Sequence, residues 1–239
     1  KICLVTGSNG YIGKIICEKL LKLGAKVIHT DIKKNKIKSK NSFFFKADLT
    51  SKKEIDILVE KINKKFKKID ILINNAGYVG TSSLKNDNKF RYNEEYAKLN
   101  LNNTILLTEL IIPSLKRSKN GSIINICSIY SFLGYDYNLY KGTQMKSPLG
   151  YGVSKAGLMH YSKMLSTSLA PKIRVNSISP GGIFRDQPIS FIKKYLLKTP
   201  LNRMGETDEI APAALFLCSP ASSYVTGEVL VIDGGYTAR

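Results

Sequence analysis

Short β-branched runs alternate along the chain with longer stretches whose apolar residues recur every three or four positions. That alternation predicts βαβ units around a parallel sheet, an α/β architecture. Lys1–Thr6 reads as a first strand. Ile12, Ile15, Ile16, Leu20 and Leu23 then mark one helical face, closed by Gly24. Lys26–Asp31 and Ser42–Lys46 read as the second and third strands, and Ile55, Leu58, Val59, Ile62 and Phe66 as a second amphipathic helix. Asp70–Asn74 is a fourth strand, residues 78–93 are polar and aperiodic, and a long helix is expected over 94–118. Ser122–Cys127 is the next strand, 132–150 reads as a loop, and a helix follows over 151–169. Arg174–Ser179 and Val229–Ile232 are the last strands, with a helix over 206–218 between them. No repeat, low-complexity tract or linker interrupts the pattern, so residues 1–239 are expected to form one domain.

Composition narrows the class. A chain of 239 residues with 43% hydrophobic and 23% charged positions can bury a substantial core. No apolar run approaches the roughly 18 residues of a membrane helix, and the first strand leads straight into a glycine turn, so neither a membrane span nor a secretory leader is expected. Cys3, Cys17, Cys127 and Cys218 sit in apolar segments without metal or redox spacing. They read as reduced core residues of a cytoplasmic protein. The net charge of +19 comes from lysines spread along the chain with no nucleic-acid motif among them. It is read as a solvated surface, and no nucleic-acid partner is expected. His29 and His160 have no ligand partners at useful spacing, so no metal site is expected.

Two segments carry chemistry. The turn Gly7-Ser8-Asn9-Gly10-Tyr11-Ile12-Gly13 lies between a strand and an amphipathic helix. In that context small residues let the backbone approach a pyrophosphate, and the helix N-terminus favours its charge. Asp31 ends the second strand, where a carboxylate can accept from adenosine ribose hydroxyls and repel a 2′-phosphate. NAD is therefore preferred over NADP, which Lys33 and Lys34 keep in play. The second segment is Tyr151 and Lys155, at i and i+4 on one helical face. An ammonium beside a phenol, together with the nicotinamide's positive charge, favours the phenolate, and lowering the tyrosine by about 3 units, roughly 4 kcal/mol, would bring it near neutral pH.

Taken together with Asp48, Asn74-Asn75-Ala76-Gly77, Asn100, Ser128, Pro180-Gly181 and Asp233-Gly234-Gly235, these residues resemble the short-chain dehydrogenase/reductase family in its compact branch. The resemblance covers nearly the whole chain and implies a doubly wound Rossmann-type sheet in three α/β/α layers. It implies Tyr151 as general acid or base beside the cofactor and Lys155 as ligand of the nicotinamide ribose. It further implies Ser128 as hydrogen-bond partner of the substrate oxygen and Asn100 as holder of a relay water. Asp48 and Leu49 would flank the adenine, Asn74, Ala76 and Gly77 would line the cleft, and Ile183 would approach the carboxamide. A homotetramer or homodimer built on the helices at 94–118 and 151–169 is expected by the same resemblance.

Three departures stand out. Gly10-Tyr11-Ile12-Gly13 places its middle glycine one position early, a spacing more like the extended branch of the family. Arg185 stands where the family often has a threonine. Ser128 and Tyr151 are separated more widely than usual, and the extra residues fall in 132–150, with Tyr135, Tyr137, Asn138, Tyr140, Lys141, Thr143, Gln144 and Lys146. That content suits a hydroxyl-rich or anionic small molecule, and the layout also resembles reductases of bacterial surface-sugar and flagellin-glycan biosynthesis. The expected activity is an NAD(H)-dependent interconversion of a carbonyl and a secondary alcohol. The alternatives are a 3-oxoacyl-acyl-carrier-protein reductase and a non-catalytic dinucleotide sensor.

Overall fold

A computed structural model describes residues 1–34, 37–79, 94–145 and 148–238. Most of the aperiodic stretch expected at 78–93, and Lys146 of the tyrosine-rich segment, lie outside the described residues. Strands β1 (Ile2–Thr6), β2 (Lys26–Asp31), β3 (Ser42–Lys46), β4 (Ile71–Asn74), β5 (Gly121–Ile126), β6 (Ile173–Pro180) and β7 (Val229–Ile232) form a seven-stranded sheet in the order β3-β2-β1-β4-β5-β6-β7. Every pairing is parallel. The expected doubly wound topology is what forms, with the reversal of strand order between β1 and β4.

Alternation along the strands explains the layers. Cys3 and Val5 of β1 enter one buried cluster with Ile16, Leu20, Ile210 and Leu217, contributed by α1 (Tyr11–Lys22) and α7 (Thr207–Cys218). Leu4, between them, enters a second cluster on the opposite face, with Ile55, Leu58 and Ile62 of α2 (Lys52–Lys65). Successive strand side chains point to opposite faces, so a strand covered on both sides is mostly apolar along its length, and its few polar side chains need partners. Burying each such leucine or isoleucine contributes about 2 kcal/mol. All four cysteines are buried and free, and burial pushes the Cys3 thiol up to about 12.

Helical structure from 94 is interrupted. After α3 (Glu94–Ala97) the chain makes one wide π turn at Lys98–Asn102 before α4 (Asn103–Leu115). The expected helix over 94–118 is thus interrupted near its start and shortened at its end. Inside the π turn the Leu99 carbonyl takes a bond from the Thr104 hydroxyl. The helix α5 (Leu149–Leu169) begins two residues ahead of Tyr151 and runs for 21 residues.

Two expectations beyond β5 change more. Within the expected loop over 132–150, Tyr137–Tyr140 forms a short 3-10 turn, and Leu139 is 1% exposed. The segment after Pro180, where no helix was expected, contains α6 (Ile189–Leu196). The apolar spacing of Ile189, Phe191, Ile192, Tyr195 and Leu196 carried that helical signal. Leu139, Phe191, Tyr195, Met204 and Tyr236 meet in a third buried cluster, separate from the two that cover the sheet.

Candidate active site

An open cleft of about 980 Å³ runs along the C-terminal ends of the strands, across the β1/β4 reversal. That is where doubly wound sheets bind ligands, and the size lies at the upper end for ligand sites.

One wall is the glycine turn. Gly7 has a φ of +65° and a side chain there would meet the Ala76 backbone at 2.8 Å, while one on Gly13 would meet the Gly7 carbonyl at 2.2 Å. Only glycine fits either place. Thr6 accepts through its hydroxyl from the Asn75 and Ala76 amides at 3.0 and 2.9 Å, and Asn75 Nδ2 donates to the Thr6 and Gly7 carbonyls. This crosslink ties the turn to the end of β4. Ser8 points inward, where its hydroxyl meets His29 Nδ1 at 3.0 Å; His29 Nε2 meets the Ser42 hydroxyl at 2.7 Å. Burial lowers the His29 pKa to about 4, so the ring is a neutral strut between β1, β2 and β3.

Asp31 lines the cleft and is oriented by two backbone donors, Asn9 N and Lys33 N, both at 2.9 Å. Asn9 turns its amide to the Lys33 and Lys34 carbonyls. Asp48 and Leu49 line the same end. Asp48 is fixed by Thr50, whose amide and hydroxyl donate to Oδ1 at 2.8 and 2.7 Å.

At the other end stand Ser128, Tyr151 and Lys155, with Pro180, Gly181 and Ile183 opposite. Ser128 caps a short 3-10 turn and accepts from Tyr130 N at 3.2 Å. Lys155 is buried and donates to the Ile126 carbonyl at 2.7 Å. Burial pushes the Tyr151 phenol above its ordinary value, opposed by a hydrogen bond from Ser128 and by the Arg185 charge. Burial likewise pulls the Lys155 ammonium down. In the protein without cofactor desolvation dominates at Tyr151, and the Lys155 head is turned to the Ile126 carbonyl.

The structure separates the sequence-selected residues into two groups. Gly7, Gly10, Tyr11, Ile12, Asp31, Asp48, Leu49, Ala76 and Gly77 line the cleft with Ser128, Tyr151, Lys155, Pro180, Gly181 and Ile183. Ser8, Asn9, Gly13, Asn74 and Asn100 stand behind it. Asn74 is 3% exposed and donates to Thr108 and Asn125, both at 2.8 Å, so its side chain faces the core. Its neighbour Asn75 takes the cleft position, because the side-chain direction flips from one strand residue to the next. Asn100 is fully buried in the π turn; Oδ1 accepts from Tyr78 N at 2.7 Å and Nδ2 donates to the Tyr78 carbonyl and to Ser154. It braces the segment entering the cleft and stands next to Lys155 across Gly77.

Tyr140 and Gln144 of the tyrosine-rich segment line the cleft beyond Tyr151, and sequence reasoning missed the rest of that wall, Tyr130, Phe191, Tyr195 and Met204. Tyr130 and Tyr140 share a hydroxyl contact of 2.9 Å, Gly182 N donates to Tyr195 Oη at 2.6 Å, and Tyr195 stacks on Tyr236 at 4.8 Å. Burial pushes the Tyr130 and Tyr195 phenols up, so they act as neutral hydroxyls. The 3-10 turn is strapped to α6: Lys194 Nζ donates to the Asn138 and Lys141 carbonyls, and Lys198 pairs with Asp136.

The residues fit a dinucleotide. A cradle closed to any Cβ, a helix N-terminus, an oriented carboxylate at one end and a buried lysine at the other match its parts. Thr30 Oγ1, on a cleft-lining residue, is a buried hydroxyl without a partner among the described residues. Among the described residues no group of three or more His, Cys, Asp or Glu could hold a metal, and no helix is long and apolar enough to cross a membrane.

Fold and site together define an α/β oxidoreductase with a nicotinamide dinucleotide cleft. A family model described as enoyl-(acyl carrier protein) reductase matches residues 7–237, and the chain belongs to the short-chain dehydrogenase/reductase family, NAD(P)-dependent oxidoreductases acting on CH–OH groups of small molecules. It is 36% identical to a 3-oxoacyl-acyl-carrier-protein reductase of Buchnera aphidicola subsp. Acyrthosiphon pisum, over 97% of this chain and 95% of that protein. It is 32% identical to post-translational flagellin modification protein A of Campylobacter coli, over 99% of this chain and 98% of that one. A crystal structure of a short chain dehydrogenase from Leptospira borgpetersenii with bound NAD+ superposes with a TM-score of 0.89. It shares 38% identity and covers 99% of this chain and 92% of that chain.

Proposed function

We propose that the protein is an NAD(H)-dependent oxidoreductase interconverting a carbonyl and a secondary alcohol on a polar, sugar-derived substrate, with Tyr151 as general acid and base. The observation that carries this reading is the convergence of Ser128, Tyr151 and Lys155 at one end of a cleft whose other end holds Asp31. When bound, the nicotinamide supplies or accepts the hydride. Ser128 holds the reacting oxygen. Tyr151 gives that oxygen a proton in reduction and removes it in oxidation. Lys155, released from the Ile126 carbonyl, binds the ribose and favours the Tyr151 phenolate. Asn100, beside Lys155, serves the proton relay through a held water.

Asp31 supports NAD over NADP, since its carboxylate is fixed by backbone donors and would repel a 2′-phosphate. The hydroxyls of Tyr130 and Tyr140, with Gln144, support a hydroxylated substrate. So does the similarity to a protein named for flagellin modification. A second reading, reduction of a 3-oxoacyl thioester, is favoured by the relatives bearing that activity in their names. An acetoacetyl thioester assayed beside keto-sugars separates the two. The exposed Val153 and Met164 on α5 support a homotetramer or homodimer, which light scattering checks.

The Tyr151→Phe variant tests the mechanism. Turnover is expected to fall about 10³-fold while NADH binding is kept, because the proton donor is lost and the ring remains. Undiminished turnover would end the assignment.

A further inference from the structure

The protein carries a net charge of +19, yet among the described residues lining the cleft only Lys155 and Arg185 are cations. Lys155 is engaged by the Ile126 carbonyl. Arg185 makes no ion pair among the described residues, although Asp186 lines the same cleft beside it. Its guanidinium lies over the ring of Tyr11, 5.0 Å from the centroid. Tyr11 is the first residue of α1, directly after Gly10 of the glycine turn, and is 60% exposed. Arg185 thus reaches from the β6 side of the cleft to the phosphate-binding turn on the β1 side.

Its root is fixed. Arg185 N donates to Gln187 Oε1 at 2.7 Å, and Gln187 Nε2 donates to the Ile183 carbonyl at 2.7 Å, closing a side-chain brace around the residue. Ile183 forms a β-bridge with Gly205, and Phe184 N donates to the Gly205 carbonyl at 2.9 Å. A long side chain rooted on a braced turn loses less freedom on meeting its ligand. The cation–π contact parks a charge that has no anion of its own.

We propose that Arg185 is a diphosphate-binding residue, a cationic second wall that closes over the dinucleotide's diphosphate opposite the glycine turn and leaves the Tyr11 ring to do so. The assignment rests on the dinucleotide reading above. The glycine turn offers the diphosphate backbone N–H groups and a helix dipole, with no acidic residue in the first turn of α1 to oppose it. It offers no full charge among its own residues. A guanidinium supplies that charge and can make two parallel bonds to phosphate oxygens. Arg185 is exposed, so its contribution falls as salt rises.

Equilibrium binding of NADH, ADP-ribose and adenosine to the protein and to Arg185→Met and Arg185→Lys tests this. NADH fluorescence and calorimetry give the constants. Arg185→Met is expected to weaken NADH and ADP-ribose by about tenfold or more, by the same factor, and to leave adenosine unchanged. Arg185→Lys should lie between, and the gap should narrow as salt is raised. Methionine packs on the Tyr11 ring nearly as arginine does, and an unchanged melting temperature excludes misfolding. Equal NADH constants in all three proteins would overturn the assignment, as would a loss confined to an anionic substrate's KM, which would give Arg185 to the substrate. Failure of the unaltered protein to bind NADH would instead overturn the dinucleotide reading itself.

Discussion

At the Asp31 end of the cleft, that carboxylate is held by two backbone amides and the glycine turn is locked by Thr6 and by Asn75 at the end of β4. At the substrate end, the wall is a set of side chains from three distant segments, the 3-10 turn at Tyr137–Tyr140, α6, and Tyr236. The first end is made of backbone geometry and tolerates almost no change in atoms. The second is a satellite core of aromatic rings, whose fit depends on packing between pieces that are strangers in sequence. A family can therefore keep the first end while exchanging the second, and the chemistry stays constant as the substrate changes.

Gly13→Ala should break the cofactor end hardest. Its Cβ would stand 2.2 Å from the Gly7 carbonyl, so the turn must open. A loss of about 3 kcal/mol in NADH binding, roughly 100-fold, is expected by titration. An unchanged affinity would mean that the turn is not rigid. Leu139→Ala should do the reverse. Removing this buried anchor should loosen residues 129–145 by about 2 kcal/mol, seen as faster proteolysis there and a higher substrate KM, with the NADH constant unchanged. Weakened NADH binding in that variant would show that the two ends are coupled.

The most gradual effect is that of pH through His29. Its folded pKa is about 4, against 6.5 for an ordinary histidine. Between those values only the unfolded chain binds the proton, so stability is full above about pH 6.5 and declines as pH falls toward 4. The expected loss across that range is about 3 kcal/mol, read by urea unfolding at several pH values. His29→Gln should flatten that slope, and a slope identical to the unaltered protein's would remove His29 as its source.

The two ends were also unequally legible. The glycine turn, Asp31 and the Tyr151–Lys155 pair are local patterns whose meaning survives without tertiary context. The choice between Asn74 and Asn75 was not local, since one residue of strand phase decides which amide enters the cleft. The helix α6 left a periodic signal that was not used. The π turn at Lys98–Asn102 left none, because its geometry arises from where Asn100 is held by Tyr78 and Ser154.

The sequence by itself determined the parallel sheet, the position of the glycine turn after β1 and the pairing of Tyr151 with Lys155 on one helix. Alternation, glycine spacing and an i to i+4 pair are consequences of backbone periodicity and need no partner. Only the tertiary structure decided that residues 132–145 pack into a wall, that burial pushes the Tyr151 phenol up, and that Arg185 crosses to Tyr11. Each depends on desolvation or on contact between residues far apart in the chain. Those are properties of the folded environment, which no stretch of sequence contains.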